Sequence, residues 1–182
     1  MIKIEEYNFY VTRLDGGLTL LDSPKDIEAG FGCLYSRCEG LGRTGKGRFY
    51  TEEYADSDEV RAYFPDEDTA EAFEMTLTVE FIGDSRADNY RKMCEFLSGG
   101  RVMYYDTARC RVFIGYLSDG SEPKEDVYKG SVPYIDVAFK FKSLYGRTFP
   151  INPLIFNPVE GDTIEVRGGS LSYHKGDVGP KQ

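Results

Sequence analysis

The tightest constraint on the fold lies between residues 73 and 81, where Phe73, Met75, Leu77, Val79 and Phe81 alternate with Glu74, Thr76, Thr78 and Glu80. Successive side chains of a strand point to opposite faces, so this period of two describes a strand with one face in a core and the other in water. A second such run places Ile135, Val137, Phe139 and Phe141 on one face and Asp136, Lys140 and Lys142 on the other. Between them the period changes. Ala87, Tyr90, Met93, Cys94 and Leu97 fall on one side of a helix predicted over Ser85 to Ser98, opened by Ser85 and Asp88 as a capping-box-like pair and stopped by Gly99-Gly100. Strands are predicted at Arg101 to Tyr105 and Arg109 to Leu117, with Asp106-Thr107-Ala108 as the turn and Cys110 inside the second strand. These segments specify a mainly β (α+β) chain with one α-helix.

The flanks are less regular. Tyr7, Phe9 and Val11 alternate before Asp15-Gly16-Gly17, and Leu18, Leu20 and Leu21 follow, so a hairpin is predicted over Ile2 to Leu21. From about residue 31 to 70 the periodicity fails, first in a Gly-rich basic stretch and then in an acidic one, and this segment is expected to be a long extended arm with room for one hairpin. After Gly146, Pro150, Pro153 and Pro158 each remove a ladder donor and argue against a central strand. A terminal hairpin is expected around Gly168-Gly169, with a frayed end beyond it. One domain over residues 1–146 and a proline-containing extension over 147–182 follow.

Composition narrows the function classes. The chain carries 14 Tyr and 12 Phe without a Trp, a load suited to pleated half-buried surfaces and to protein interfaces. Its net charge of −9 lacks the basic stripe expected of a nucleic-acid-binding surface. The charge is also localised: Glu52 to Glu74 holds ten acids against Arg61 alone, which accounts for the whole net charge. No apolar run approaches the roughly 20 residues of a membrane span, and the start MIKIEEYNFYVTR does not read as a signal peptide, so folding in a cytosol is expected.

Motifs for chemistry are weak. Gly40 to Gly47 matches a phosphate loop, but Gly47 stands where a Ser or Thr would hold magnesium, and Arg48-Phe49-Tyr50-Thr51 replaces the required helix. His174 is alone in the C-terminal segment, a poor place to hold a general base. Asp56/Asp58 and Asp66/Asp68 lack the spacing of a calcium loop, and Cys33, Cys38, Cys94 and Cys110 form no CxxC pair. No cofactor, metal or catalytic residue is assigned, and the chain is read as a non-enzymatic protein.

The segment from Phe73 to Tyr145, with FEMTLTVEFIG, SRADNYRKMCEFLSGG, RVMYYDTARCRVFIGYL and VPYIDVAFKFKSLYGR, resembles the N-terminal domain of the distal tail proteins of long-tailed phages, itself similar to the phage tail-tube fold. The resemblance covers about 40% of the chain. It implies an antiparallel β-sandwich with one flanking α-helix, tail-tube-like, that forms a hexameric ring with sheet edges paired around a central channel, together with self-association, other tail or baseplate proteins as partners, DNA at most passing through, and a place in the virion tail. Typical members continue into a second β domain, whereas about 36 residues follow Gly146 here. The candidate interface residues are Arg37, Arg43, Lys46 and Arg48 as a basic set, Asp56, Asp58, Asp66 and Asp68 as an acidic set, and Tyr63 and Phe64 within the acidic stretch. The competing readings are a phosphate- or nucleotide-binding protein using Gly40 to Gly47, and a soluble β domain that binds a peptide or glycan.

Overall fold

The computed structural model describes residues 9–41, 50–53, 60–63, 72–107, 109–120, 123–127, 132–167 and 169–176. In chain order the elements are β1 (Phe9–Leu14), β2 (Lys25–Asp26), α1 (Ile27–Phe31), β3 (Leu34–Glu39), β4 (Tyr50–Glu53), β5 (Val60–Tyr63), β6 (Glu74–Ile82), α2 (Arg86–Leu97), β7 (Arg101–Asp106), β8 (Arg111–Gly120), β9 (Lys124–Val127), β10 (Pro133–Ser143), β11 (Phe149–Pro150), β12 (Thr163–Arg167) and β13 (Ser170–His174). The protein is mainly antiparallel β. Nine of the described strands form one sheet in the order β2-β1-β7-β8-β10-β6-β3, with β9 added to β10 and β11 to β8, while β4-β5 and β12-β13 are separate two-stranded ladders.

The two alternating runs form the centre of the molecule. β6 and β10 pair antiparallel over nine positions, so that Met75 meets Phe141, Leu77 meets Phe139, Val79 meets Val137 and Phe81 meets Ile135. All eight side chains are buried. In β7 the uninterrupted run Val102-Met103-Tyr104-Tyr105 is buried on both faces. Val102 and Tyr104 join the core formed with β6 and β10, whereas Met103 and Tyr105 join a second core with Val112, Ile114, Phe149, Phe156 and Ile164. The segment after Gly146 therefore covers the second face of β7 and β8, and Phe149 is fully buried.

The sheet is rolled around the larger core. Phe9 of β1 stacks on Tyr35 of β3 with ring centroids 3.7 Å apart, although these strands lie near opposite ends of the sheet order. Arg109, in the β7–β8 turn, reaches across to donate from a terminal guanidinium nitrogen to the Cys38 carbonyl of β3 at 2.9 Å. The β1-β7-β8 and β10-β6-β3 halves thus face one another as a sandwich does.

α2 fills the side of this roll. Met93, Phe96 and Leu97 are buried, Tyr90 packs its edge on Phe81 and stacks on Phe139, and Phe96 meets Phe31 of α1 edge-on. Three details depart from the sequence reading. Ala87 is exposed, Phe96 belongs to the buried face, and Ser85 caps without a side-chain hydrogen bond. At φ −87° and ψ 4° Ser85 is outside the extended region that aims a hydroxyl at the helix N–H groups, and Asp88 pairs with Arg91 at 3.0 Å instead.

Other expectations shift as well. β1 takes β7 as its six-position partner, and the returning chain pairs with β1 more briefly, by a bridge at Leu14 and Leu20 and by β2 at two positions, with Asp15 Oδ1 accepting from the Gly17 and Thr19 N–H groups; residues 2–8 of the expected hairpin lie outside the described residues. Cys110 sits in the turn before β8, at φ 54°, and is half-buried rather than a core strand residue. The polar stretch after Leu117 contains the end of β8 and β9, which pairs with Pro133 to Asp136. Residues 31–70 are not one arm. Phe31, Cys33, Cys38 and Leu41 are buried, and β3 is a terminal strand of the main sheet. The terminal hairpin forms as expected, with Arg167 opposite Ser170; residues 177–182 lie outside the described residues.

Candidate assembly surface

β3 and β6 are antiparallel neighbours, and Glu39 lies directly opposite Thr76. The chain between them is therefore a long insertion at the tip of a β-hairpin. Gly40 makes the exit from β3 at φ 92°, where an added Cβ would lie 2.5 Å from the Glu74 carbonyl, and Leu41 is fully buried. The first two positions of the phosphate-loop match are thus accounted for by chain geometry and packing. Residues 42–49 of that match lie outside the described residues.

Within the insertion, β4 and β5 pair with each other, Tyr50 opposite Tyr63 and Glu53 opposite Val60. Their ladder is separate from the main sheet. Of the ten candidate interface residues, Tyr63 ends β5, and Arg37 lies exposed on β3 with Glu39 at 3.3 Å. Arg43, Lys46, Arg48, Asp56, Asp58, Phe64, Asp66 and Asp68 lie outside the described residues, so no contact between the basic and acidic sets is on view.

The ends of the main sheet are poor templates for another strand. β2 is two residues long and runs directly into α1, whose N-terminal N–H groups at Glu28 and Ala29 are capped by Asp26 Oδ1 at 3.0 Å. On β3 the Tyr35 N–H donates to Glu28 Oε1 at 3.0 Å and the Cys38 carbonyl accepts from Arg109. A bulge between Tyr35 and Arg37 breaks the register of the same strand. Side-chain occupation of edge groups, bulges and very short strands are the devices by which sheets resist edge-to-edge pairing.

Nucleophilic and metal chemistry finds little footing among the described residues. Burial pushes the Cys33 thiol up to about 12 and the Cys38 thiol up to about 11, so neither supplies thiolate at neutral pH. His174 belongs to β13, exposed and paired with Glu165 of β12. No group of three or more His, Cys, Asp or Glu side chains among the described residues is placed to hold a metal ion.

Sequence reasoning missed an apolar projection between β11 and β12. Leu154 is 87% exposed and Ile155 71%, the two most exposed large aliphatic side chains described. The signal was present as an Asn-Pro-Leu-Ile-Phe-Asn-Pro run, but its prolines were used only to exclude a strand.

No family model matches the chain, and no curated protein matches its sequence. Among solved structures it is similar to the Dit protein of phage SPP1, described as a paradigm of the hub adsorption apparatus in phages infecting Gram-positive bacteria. The identity is 12% and the TM-score 0.47, over 86% of this chain and 54% of that one. The chain spans about half the length of that protein.

Proposed function

We propose that the chain is a non-catalytic structural subunit of a phage or prophage tail, acting by self-association into a ring and by binding other tail proteins. The observation that carries the reading is the inserted hairpin. β4-β5 is spliced between two adjacent strands of the rolled sheet, forms a ladder separate from it, and overlaps the stretch Glu52 to Glu74, which holds the chain's entire net charge. A long insertion with a ladder of its own, outside the main sheet, is suited to a neighbouring copy. The resemblance of Phe73 to Tyr145 to distal tail proteins supports the tail assignment, and the order strand, helix, two strands, long strand is the order of β6, α2, β7, β8 and β10. Contacts are assigned to the insertion together with Arg37 at the adjoining end of β3, with Arg37, Arg43, Lys46 and Arg48 of one copy against Asp56, Asp58, Asp66 and Asp68 of the next, and not to strand addition at β3, where the Tyr35 N–H and the Cys38 carbonyl already have side-chain partners. A hexamer in the tail of the virion is the specific form of this proposal.

The test removes residues 42–71 and joins Leu41 to Ala72. Sedimentation of the full chain should show a defined oligomer, and the deleted chain should fall to small species. A deleted chain with the assembly state of the full one would refute the role of the insertion.

A further inference from the structure

The two halves of the roll are joined unequally. Through β8 and β10 they share a continuous ladder, but among the described residues no ladder joins β3 to β1 or β7, so on this side the halves meet through side chains. Two contacts span the seam, one on each side of the bulge in β3. Phe9 stacks on Tyr35 before it, and Arg109 donates to the Cys38 carbonyl after it.

Beneath Arg109 the seam is polar. Asp106, fully buried, accepts the Arg109 N–H on Oδ1 and has Arg109 Nε 3.8 Å from Oδ2. Tyr104, two residues earlier on the same face of β7 and 1% exposed, turns its hydroxyl into the same place, near Tyr35, Cys38 and Asp106. That hydroxyl is buried and makes no hydrogen bond. Burying a hydroxyl without a partner costs free energy that is returned when water reaches it. The seam therefore resists opening less than the apolar core around Leu77 and Phe139 does, and its outer bridge, Arg109, is a side chain already half in water.

We propose that Arg109 is a latch on this seam, and that β3 parts from the β7–β8 turn in a local opening while the rest of the roll stays folded. Opening takes the Arg109 donor from the Cys38 carbonyl and admits water to the Cys38 thiol and the Tyr104 hydroxyl. Because the insertion leaves β3 at Gly40, two residues beyond Cys38, the same motion shifts the footing of the inserted hairpin. The inference rests on the fold and not on the tail reading, so the two fail separately.

The experiment labels the full chain with N-ethylmaleimide in native buffer and reads each cysteine by peptide mass spectrometry, with rates scaled to those of the same thiols in the unfolded chain. Cys33 is the internal control. It is as buried as Cys38, at 5% against 4%, but lies on the α1 side, where its thiol donates to the Ile27 carbonyl at 3.2 Å. Cys38 should label at least about tenfold faster than Cys33. Arg109→Ala removes a charge-assisted hydrogen bond of the closed seam and should speed Cys38 further, by about ten- to hundredfold. Tyr104→Phe removes the hydroxyl that has no partner and should slow Cys38 by at least about fivefold. Neither substitution should move Cys33. Opposite shifts confined to one thiol are what a latch requires, since a purely structural contribution to stability moves both thiols together. Equal scaled rates for Cys33 and Cys38, parallel shifts at the two thiols, or a Cys38 rate left unchanged by either substitution overturns the latch.

Discussion

Replacing Asp162 by Asn isolates one carboxylate that ties the last hairpin to the rest of the protein. Asp162 is 2% exposed. Its Oδ2 accepts from the Val159 N–H at 2.9 Å and from Lys175 Nζ at 3.4 Å, and its Oδ1 accepts from the Gly176 N–H at 3.0 Å. Its own carbonyl accepts from the Leu20 N–H at 2.9 Å, which couples this turn to the chain returning from β1. Asparagine has the same shape but only one acceptor oxygen, so one of the two backbone donors must face an NH₂ group. Leaving a buried donor unsatisfied costs about 1–3 kcal/mol. For a chain of this length 1 kcal/mol moves Tm by roughly 2–4 °C, giving a fall of about 2–12 °C at pH 7. The pH dependence supplies a second reading. Burial pushes the carboxyl up, but the Val159 and Gly176 N–H groups and the Lys175 ammonium outweigh it and hold the folded value below the ordinary one. The carboxylate's contribution is therefore complete above the unfolded value near 4 and is lost as pH falls through the lower folded value. Thermal melts from pH 7 to pH 2 should show the Asn variant least stable relative to the native protein at pH 7, with the gap narrowing in acid. A Tm unchanged at pH 7, or a gap that widens in acid, would refute the argument.

Leu97, fully buried in the last turn of α2, should cost about 2–5 kcal/mol when replaced by Ala, measured by urea unfolding; a loss below 1 kcal/mol would show that the helix does not depend on this face. Assembly through the basic and acidic sets of the insertion should weaken as salt rises from about 0.01 M to 0.15 M, because the screening length contracts from roughly 30 Å to 8 Å. Sedimentation across that series checks it, and assembly that strengthens with salt would point instead to acidic groups facing one another across a channel.

What the sequence revealed depended on whether an element has one buried face. β6, β10 and α2 do, and their periods of 2 and 3.6 located them within two residues or so at each end. β3 escaped because its bulge between Tyr35 and Arg37 interrupts the alternation, which leaves Leu34 half-exposed while Cys38 is buried. β9, Lys-Glu-Asp-Val, is too charged to read as a strand and exists because β10 offers it a partner. α1 was legible but unread: Asp26 before it and Gly32 after it, at φ 63°, are ordinary start and stop signals around only five residues. The projection at Leu154 was hidden for a different reason. Proline exclusion says what a segment is not, and of the bonds that hold this one the Asn152 bond is local whereas the Tyr173 bond to Asn157 comes from a residue 16 positions away.

The position of the insertion also bears on how this fold could carry the proposed assembly element without weakening its core. Between the end of β3 at Glu39 and the start of β6 at Glu74 stand 34 residues, where four (Gly40, Leu41, Ala72 and Phe73) suffice to connect antiparallel neighbours. Loop-closure entropy grows only as the logarithm of length, so lengthening the connection from four to 34 residues costs about 2 kcal/mol. That is small against a core closed by the pairing of β6 with β10 and by the packing of α2. Removing residues 42–71 should accordingly leave urea stability equal to the full chain's or raise it by up to about 2 kcal/mol. The same deletion should reduce the proposed ring to small species. Stability kept and assembly lost is the pattern required of a segment whose free energy is spent on a neighbour. Stability and assembly lost together would instead make the insertion part of the fold of its own subunit.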